Sequence, residues 1–104
     1  MTIHELKNLL DQNPPATATL LLDVREPDEF AAGRVPGARN IPLSQVAGKT
    51  GDLAGFATIL VICQWGGRSA AACQALAGRL PKTRVVNVEG GMGAWHAAGF
   101  PLER

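Results

Sequence analysis

The sequence predicts an α/β fold with a mostly parallel sheet, and three observations carry that expectation. Residues 19–24, 57–63 and 84–88 are strand-length segments rich in apolar residues, as expected of strands covered on both faces. Segments with helical spacing or helix-boundary signals lie between them, so strands and helices alternate. Finally, 104 residues with 46% apolar content suit one core and one domain, taken as residues 1–104.

The elements follow in order. Thr2 and Glu5 are spaced as a capping box, and Ile3, Leu6, Leu9 and Leu10 recur at helical intervals, predicting a short first helix. Asn13-Pro14-Pro15 ends it. Thr19 to Val24 is the first strand. Residues 26–32 form a short helix broken at Gly33, and Pro36-Gly37 marks a turn. Asn40-Ile41-Pro42-Leu43 reads as a short edge segment, because Pro42 has no N–H for a central ladder. Residues 44–55 carry one or two weak helical turns. Ala57 to Cys63 is the second buried strand, Gln64 to Gly67 a loop, and Arg68 to Leu80 a helix stopped before Pro81. Arg84 to Val88 is a third buried strand. Glu89-Gly90-Gly91 then leads into a closing helix from Met92 to Ala98, with Gly99 as its C-cap.

Composition excludes several classes. Lys and Arg number 10 against 9 Asp and Glu, for a net charge of +1, and they are scattered. Without a basic stripe, neither a nucleic acid nor a membrane surface is an expected partner. The longest strongly apolar run, Ala57 to Cys63, is too short to cross a bilayer. His4, Glu5, Lys7 and Asp11 interrupt the N-terminal segment, unlike a signal peptide. Two cysteines, Cys63 and Cys73, are too few for a disulfide scaffold, so a cytoplasmic setting is expected. The pair reads either as a disulfide or as two free thiols with different jobs; separate flanking sequences favour the thiols.

Chemistry concentrates in Ile62-Cys63-Gln64-Trp65-Gly66-Gly67-Arg68-Ser69. Cys63 falls at the carboxyl end of a buried strand, the edge where open α/β sheets bind ligands. Two glycines before the helix let the backbone curl so that successive N–H groups point inward, and the nest joins a helix N-terminus. A free thiol is only about 3% thiolate at pH 7. Such a nest lowers the thiol pKa, and Arg68 adds a fixed positive charge at the rim. The same donors would stabilise a terminal persulfide anion. The plainer alternative is a buried strand-end cysteine with no chemistry.

Four segments in order resemble the single-domain rhodaneses over nearly the whole chain. They are Leu22-Asp23-Val24-Arg25-Glu26 with Glu29-Phe30; Val35-Pro36-Gly37-Ala38 with Asn40-Ile41-Pro42; Cys63 through Ser69; and Glu89-Gly90-Gly91 with Ala94-Trp95 and Ala98-Gly99-Phe100-Pro101. The resemblance implies a rhodanese-like fold, a five-stranded, mostly parallel sheet flanked by helices on both faces. It implies transfer of sulfane sulfur from thiosulfate or a persulfide to cyanide or a thiol, through a persulfide on Cys63. Gln64, Trp65, Gly66, Gly67, Arg68 and Ser69 would form the substrate cradle. Phosphatases of similar fold use a Cys-x5-Arg loop with room for phosphate. Here four residues separate Cys63 from Arg68, a ring sized for one sulfur atom.

Other residues have two readings each. Trp65 either walls the sulfur site or is an exposed loop aromatic. Asp23 and Arg25 guide anions or, more simply, fix loops through paired charges. Cys73 is a resolving thiol or a buried thiol on the apolar face of its helix, with Leu76, Ala77 and Leu80. Glu89 tunes the site or makes a turn. No His, Asp or Cys spacing suggests a metal, and no cofactor is expected. Two other functions compete with the enzyme: a non-catalytic interaction module, and a persulfide carrier whose donor and acceptor are proteins.

Overall fold

The computed structural model describes residues 1–12 and 18–104. Its elements run α1 (Ile3–Leu10), β1 (Thr19–Asp23), α2 (Pro27–Ala32), β2 (Arg39–Asn40), α3 (Leu43–Val46), a 3-10 turn (Ala47–Lys49), α4 (Thr50–Leu53), β3 (Thr58–Ile62), α5 (Gly67–Arg79), β4 (Arg84–Asn87) and α6 (Gly91–Ala97). The strands form one sheet in the order β2-β1-β3-β4, and every pairing is parallel. The expected α/β architecture is therefore present.

The continuous apolar runs follow from this topology. Side chains alternate between faces along a strand, and both faces here are covered. Leu20, Leu22, Ile59, Val61 and Cys63 face a core shared with Val46, Leu53, Ala72 and Leu76, so α3, α4 and α5 pack on that side. Leu21, Leu60 and Ile62 face the other core with Ile3, Leu6, Met92 and Trp95, from α1 and α6. Each of these large side chains contributes roughly 1.5–3 kcal/mol on burial. The predicted capping box forms: Thr2 Oγ1 accepts from the Glu5 N–H at 3.1 Å, and Glu5 Oε1 accepts from the Thr2 N–H at 3.0 Å. The expected stop at Asn13-Pro14-Pro15 lies outside the described residues.

Three expectations need correction. The sheet has four strands rather than five. Beyond the sheet, Met1 pairs with the end of β4 through the Asn87 carbonyl and the Glu89 N–H, at 3.0 and 2.8 Å, and Arg34 and Glu103 form an isolated antiparallel bridge. Both bonds of that bridge form, at 2.9 and 2.8 Å. The next hydrogen-bonded pair would be Pro36 with Pro101, and neither has an N–H to give. Second, β4 is the edge of the sheet, so Arg84 is exposed and Val85, Val86 and Asn87 are only half-buried; Val88, just past it, is fully buried. Third, the cap of α6 is Ala98, with Gly99 one residue beyond at φ +74°. No helix among the described residues is long and apolar enough to cross a membrane.

Candidate active site

Cys63 leaves β3 one residue past its end, at the carboxyl edge of the sheet, and α5 starts at Gly67. The turn between them passes through Gly66 at φ +106°, a left-handed conformation that a side chain would strain. That turn aims donors at the sulfur. The Gly66 N–H reaches Sγ at 3.0 Å and the Ser69 N–H at 3.3 Å, while Ser69 Oγ lies 3.2 Å away. Ser69 is fully buried and Cys63 is 1% exposed. Burial pushes the Cys63 thiol pKa up. Hydrogen bonds from the Ser69 hydroxyl and the backbone N–H groups of Ser69, Gly66 and Trp65 outweigh it, and the net shift is downward.

The loop is held from outside by α6. The Met92 N–H donates to the Cys63 carbonyl at 2.8 Å, and the Gly93 N–H to the Gln64 carbonyl at 2.9 Å. These bonds turn the loop carbonyls outward, which leaves the intervening N–H groups free to face the sulfur. Gly91 makes the approach possible. It sits at φ +56°, and a Cβ there would overlap the Cys63 and Gln64 carbonyl oxygens. The Gly90-Gly91 pair thus serves the loop as well as the turn.

The remaining cradle residues take different places. Trp65 is 76% exposed, and its ring lies against Gly93, where a Cβ would collide with it. Gln64 is half-buried, and its Oε1 accepts from the Arg25 guanidinium at 3.5 Å. Arg68, read from sequence as a fixed positive charge at the rim, has a partner there. Its guanidinium grips both oxygens of Glu29 on α2, at 2.7 and 3.0 Å. Arg68 holds the Glu29 carboxyl down to about 2 against the opposing effect of burial, with help from the Glu26 N–H.

Asp23 and Arg25 take the loop-fixing role. Both are buried, and Arg25 Nε and Nη2 bind the Asp23 carboxylate at 2.8–3.1 Å. Arg25 also donates to the Gly33 carbonyl at 2.8 Å. Asn40 ties the end of β1 from the neighbouring strand, donating to the carbonyls of Asp23 and Arg25 at 2.9 Å each. Cys63 and Cys73 are both free. Cys73 is half-buried against the core, and burial raises its pKa to about 11. Ala77, expected beside it on the apolar face, is exposed. Glu89 is exposed at the turn before α6, and its N–H donates to the Met1 carbonyl at 2.8 Å.

In the sequence Glu29 carries only the resemblance, with no role in the site. Its signal was the Glu26-x-x-Glu29 spacing, which forms a second capping box on α2. Nothing in the sequence marks Gly91 and Gly93 as the surface on which the loop is seated.

Fold and loop together define a class: an α/β domain that holds one cysteine in a backbone anion nest at a strand end. The chain belongs to the Rhodanese-like domain family, whose model matches residues 2–98. It is 32% identical to a sulfurtransferase of Allochromatium vinosum over 83 residues, covering 80% of this chain and 77% of that one. It is 40% identical to the uncharacterized protein YqhL of Bacillus subtilis over 75 residues, covering 72% of this chain; the matched part is 59% of YqhL's length. A rhodanese-related protein of Thermoplasma volcanium has a crystal structure that superposes with a TM-score of 0.83 at 33% identity, over 99% of this chain and 95% of that one.

Proposed function

We infer that the chain is a sulfurtransferase that carries sulfane sulfur as a persulfide on Cys63. The observation that carries this is the set of partners around Sγ: the Gly66 and Ser69 N–H groups donate to it, and the Ser69 hydroxyl, 3.2 Å away, takes the thiol proton. The family, and a relative named as a sulfurtransferase, support the same chemistry. We take residues 1–104 as one domain working in a reducing, cytoplasmic setting, where both thiols stay free.

The geometry supports the following steps. In the thiol form, Sγ–H points to Ser69 Oγ, whose own proton goes to the Gly66 carbonyl at 3.1 Å. When Cys63 ionises, the Ser69 hydroxyl turns its proton to the sulfur. The Gly66 carbonyl keeps the Ala70 N–H at 3.1 Å, so no buried acceptor is stranded. The thiolate attacks the outer sulfur of thiosulfate, the S–S bond breaks, and sulfite leaves with the electron pair. The terminal sulfur of the persulfide then bears the negative charge, within the nest's field. Cyanide or a thiolate takes that sulfur, as thiocyanate or as a new persulfide, and the Cys63 thiolate returns. Gln64, Trp65, Gly66, Gly67, Arg68 and Ser69 frame the sulfur in this reading.

Steady-state turnover of thiosulfate with cyanide tests it. Parallel double-reciprocal lines and thiocyanate formation are expected, both abolished in Cys63→Ser. Turnover that survives the substitution contradicts the mechanism. A protein acceptor is a second reading, favoured by the exposed Trp65 beside the loop.

A further inference from the structure

Glu29 reaches the loop from α2, and two sets of bonds fix it there. Its Oε1 accepts from the Glu26 N–H at 2.9 Å, and both oxygens take the Arg68 guanidinium. With its carboxyl near 2, Glu29 is ionised throughout the working range. It also lines a polar groove of about 260 Å³ beside the loop, with Arg25, Gln64, Met92, His96 and Arg104. Of the cations there, Arg25 is buried against Asp23, and Arg104 gives its Nε–H to the Ala32 carbonyl. The charges nearest the loop thus fall in two neutral pairs, Asp23 with Arg25 and Glu29 with Arg68, while Arg104, on a backbone carbonyl elsewhere in the groove's lining, keeps its charge. Next to the sulfur itself, attraction for an anion comes from the backbone dipoles around Sγ, which act over a short range.

We propose that Glu29 sets the donor class of this site: by pairing Arg68 it selects against dianions such as thiosulfate and favours alkyl persulfides carrying at most one charge. The proposal rests on the sulfurtransferase reading above. The Cys63 thiolate attacks the outer sulfur of R–S–S–H and the S–S bond breaks. R–S⁻ departs with the electron pair, and Cys63–S–S–H keeps the proton. Glu29 touches no reacting atom and acts through Arg68, as a positioning residue.

Iodoacetamide is neutral and iodoacetate an anion, and both alkylate a thiolate. Their rate ratio at Cys63 reads the local field and needs no sulfur transfer. The full chain carrying Cys73→Ala is used, at low salt. Glu29→Gln keeps an oxygen for the Glu26 N–H but uncovers Arg68. The iodoacetate-to-iodoacetamide ratio should rise about fivefold, ~1 kcal/mol at ~1.36 kcal/mol per decade, and the rise should fade in concentrated salt. Arg68→Gln exposes Glu29 instead and should lower the ratio by a similar factor. The double variant should return to within about twofold of wild type.

Thiosulfate bears two charges and an alkyl persulfide with no other charged group bears one near neutrality, so thiosulfate loading of Cys63 relative to that persulfide should gain about fivefold in Glu29→Gln. A ratio unmoved in both folded single variants overturns the role of Glu29 while leaving sulfur transfer standing. A ratio that moves while neither donor loads Cys63 overturns the sulfurtransferase reading, and the donor class with it.

Discussion

Replacing Ser69 by Ala isolates the hydroxyl that is hydrogen-bonded to Sγ. The substitution removes a hydroxyl 3.2 Å from Sγ and 3.1 Å from the Gly66 carbonyl. Both backbone N–H contacts to the sulfur remain, because the Ser69 N–H is kept and Gly66 is untouched. The Gly66 carbonyl retains the Ala70 N–H, so the cost to folding should stay near ~1 kcal/mol. The cost to the thiolate is larger. A hydrogen bond to a charged group is worth about 1.5–3 kcal/mol, which at ~1.36 kcal/mol per decade is roughly a 10- to 100-fold loss of thiolate below its pKa. The assay is the pH dependence of Cys63 alkylation by iodoacetamide, with Cys73 replaced. The variant's profile should move to higher pH, and its rate below the wild-type midpoint should fall by that factor. Profiles that superimpose would show that the hydroxyl does not stabilise the thiolate, and the proposed turn of the Ser69 proton would be wrong.

Other consequences are equally specific. Gly91→Ala puts a strained left-handed alanine against two carbonyl oxygens and should cost about 2–4 kcal/mol, read as a lower urea midpoint with unchanged slope; a loss below ~1 kcal/mol would mean that α6 does not seat the loop. Asp23→Asn leaves the buried Arg25 without its counter-charge and should cost about 3–5 kcal/mol by the same assay. The Glu29 carboxyl is depressed in the folded state, from 4.5 to about 2, so its stabilising contribution is complete above about 4.5 and is lost as pH falls through 2. Wild type should therefore exceed Glu29→Gln by up to ~1 kcal/mol at neutral pH, and thermal melts should converge near pH 2; a gap independent of pH would refute the pairing. Because burial raises Cys73 to about 11 and the nest lowers Cys63, limiting iodoacetamide near pH 7.5 should label Cys63 first by peptide mapping.

What could be read from the sequence was local. The Thr2–Glu5 capping box, the apolar strands and the placement of Cys63 before a glycine turn depend on neighbours a few residues apart, and all three appear in the fold. Partnerships across long stretches of chain could not be read. Arg68 meets Glu29 from 39 residues away, and a fixed charge in a loop looks free until its partner is seen. The seating of Cys63 and Gln64 on Met92 and Gly93 is a contact between segments that no periodicity encodes. Likewise Arg84 to Asn87 has the composition of a covered strand, but its place at the sheet edge is decided by topology. The expected fifth strand is absent from the sheet; among the described residues, the pairing beside the end of β4 is carried by Met1 alone, which donates to the Asn87 carbonyl and accepts the Glu89 N–H, a contact across the whole chain that no apolar run announces.

The most direct measurement is the intact mass of the reduced protein before and after thiosulfate or glutathione persulfide, with Cys63→Ser alongside. The account predicts one added sulfur atom on the wild type, removed by cyanide and absent from the variant. A folded wild type that gains no sulfur from either donor, or an addition that persists in Cys63→Ser, would contradict it.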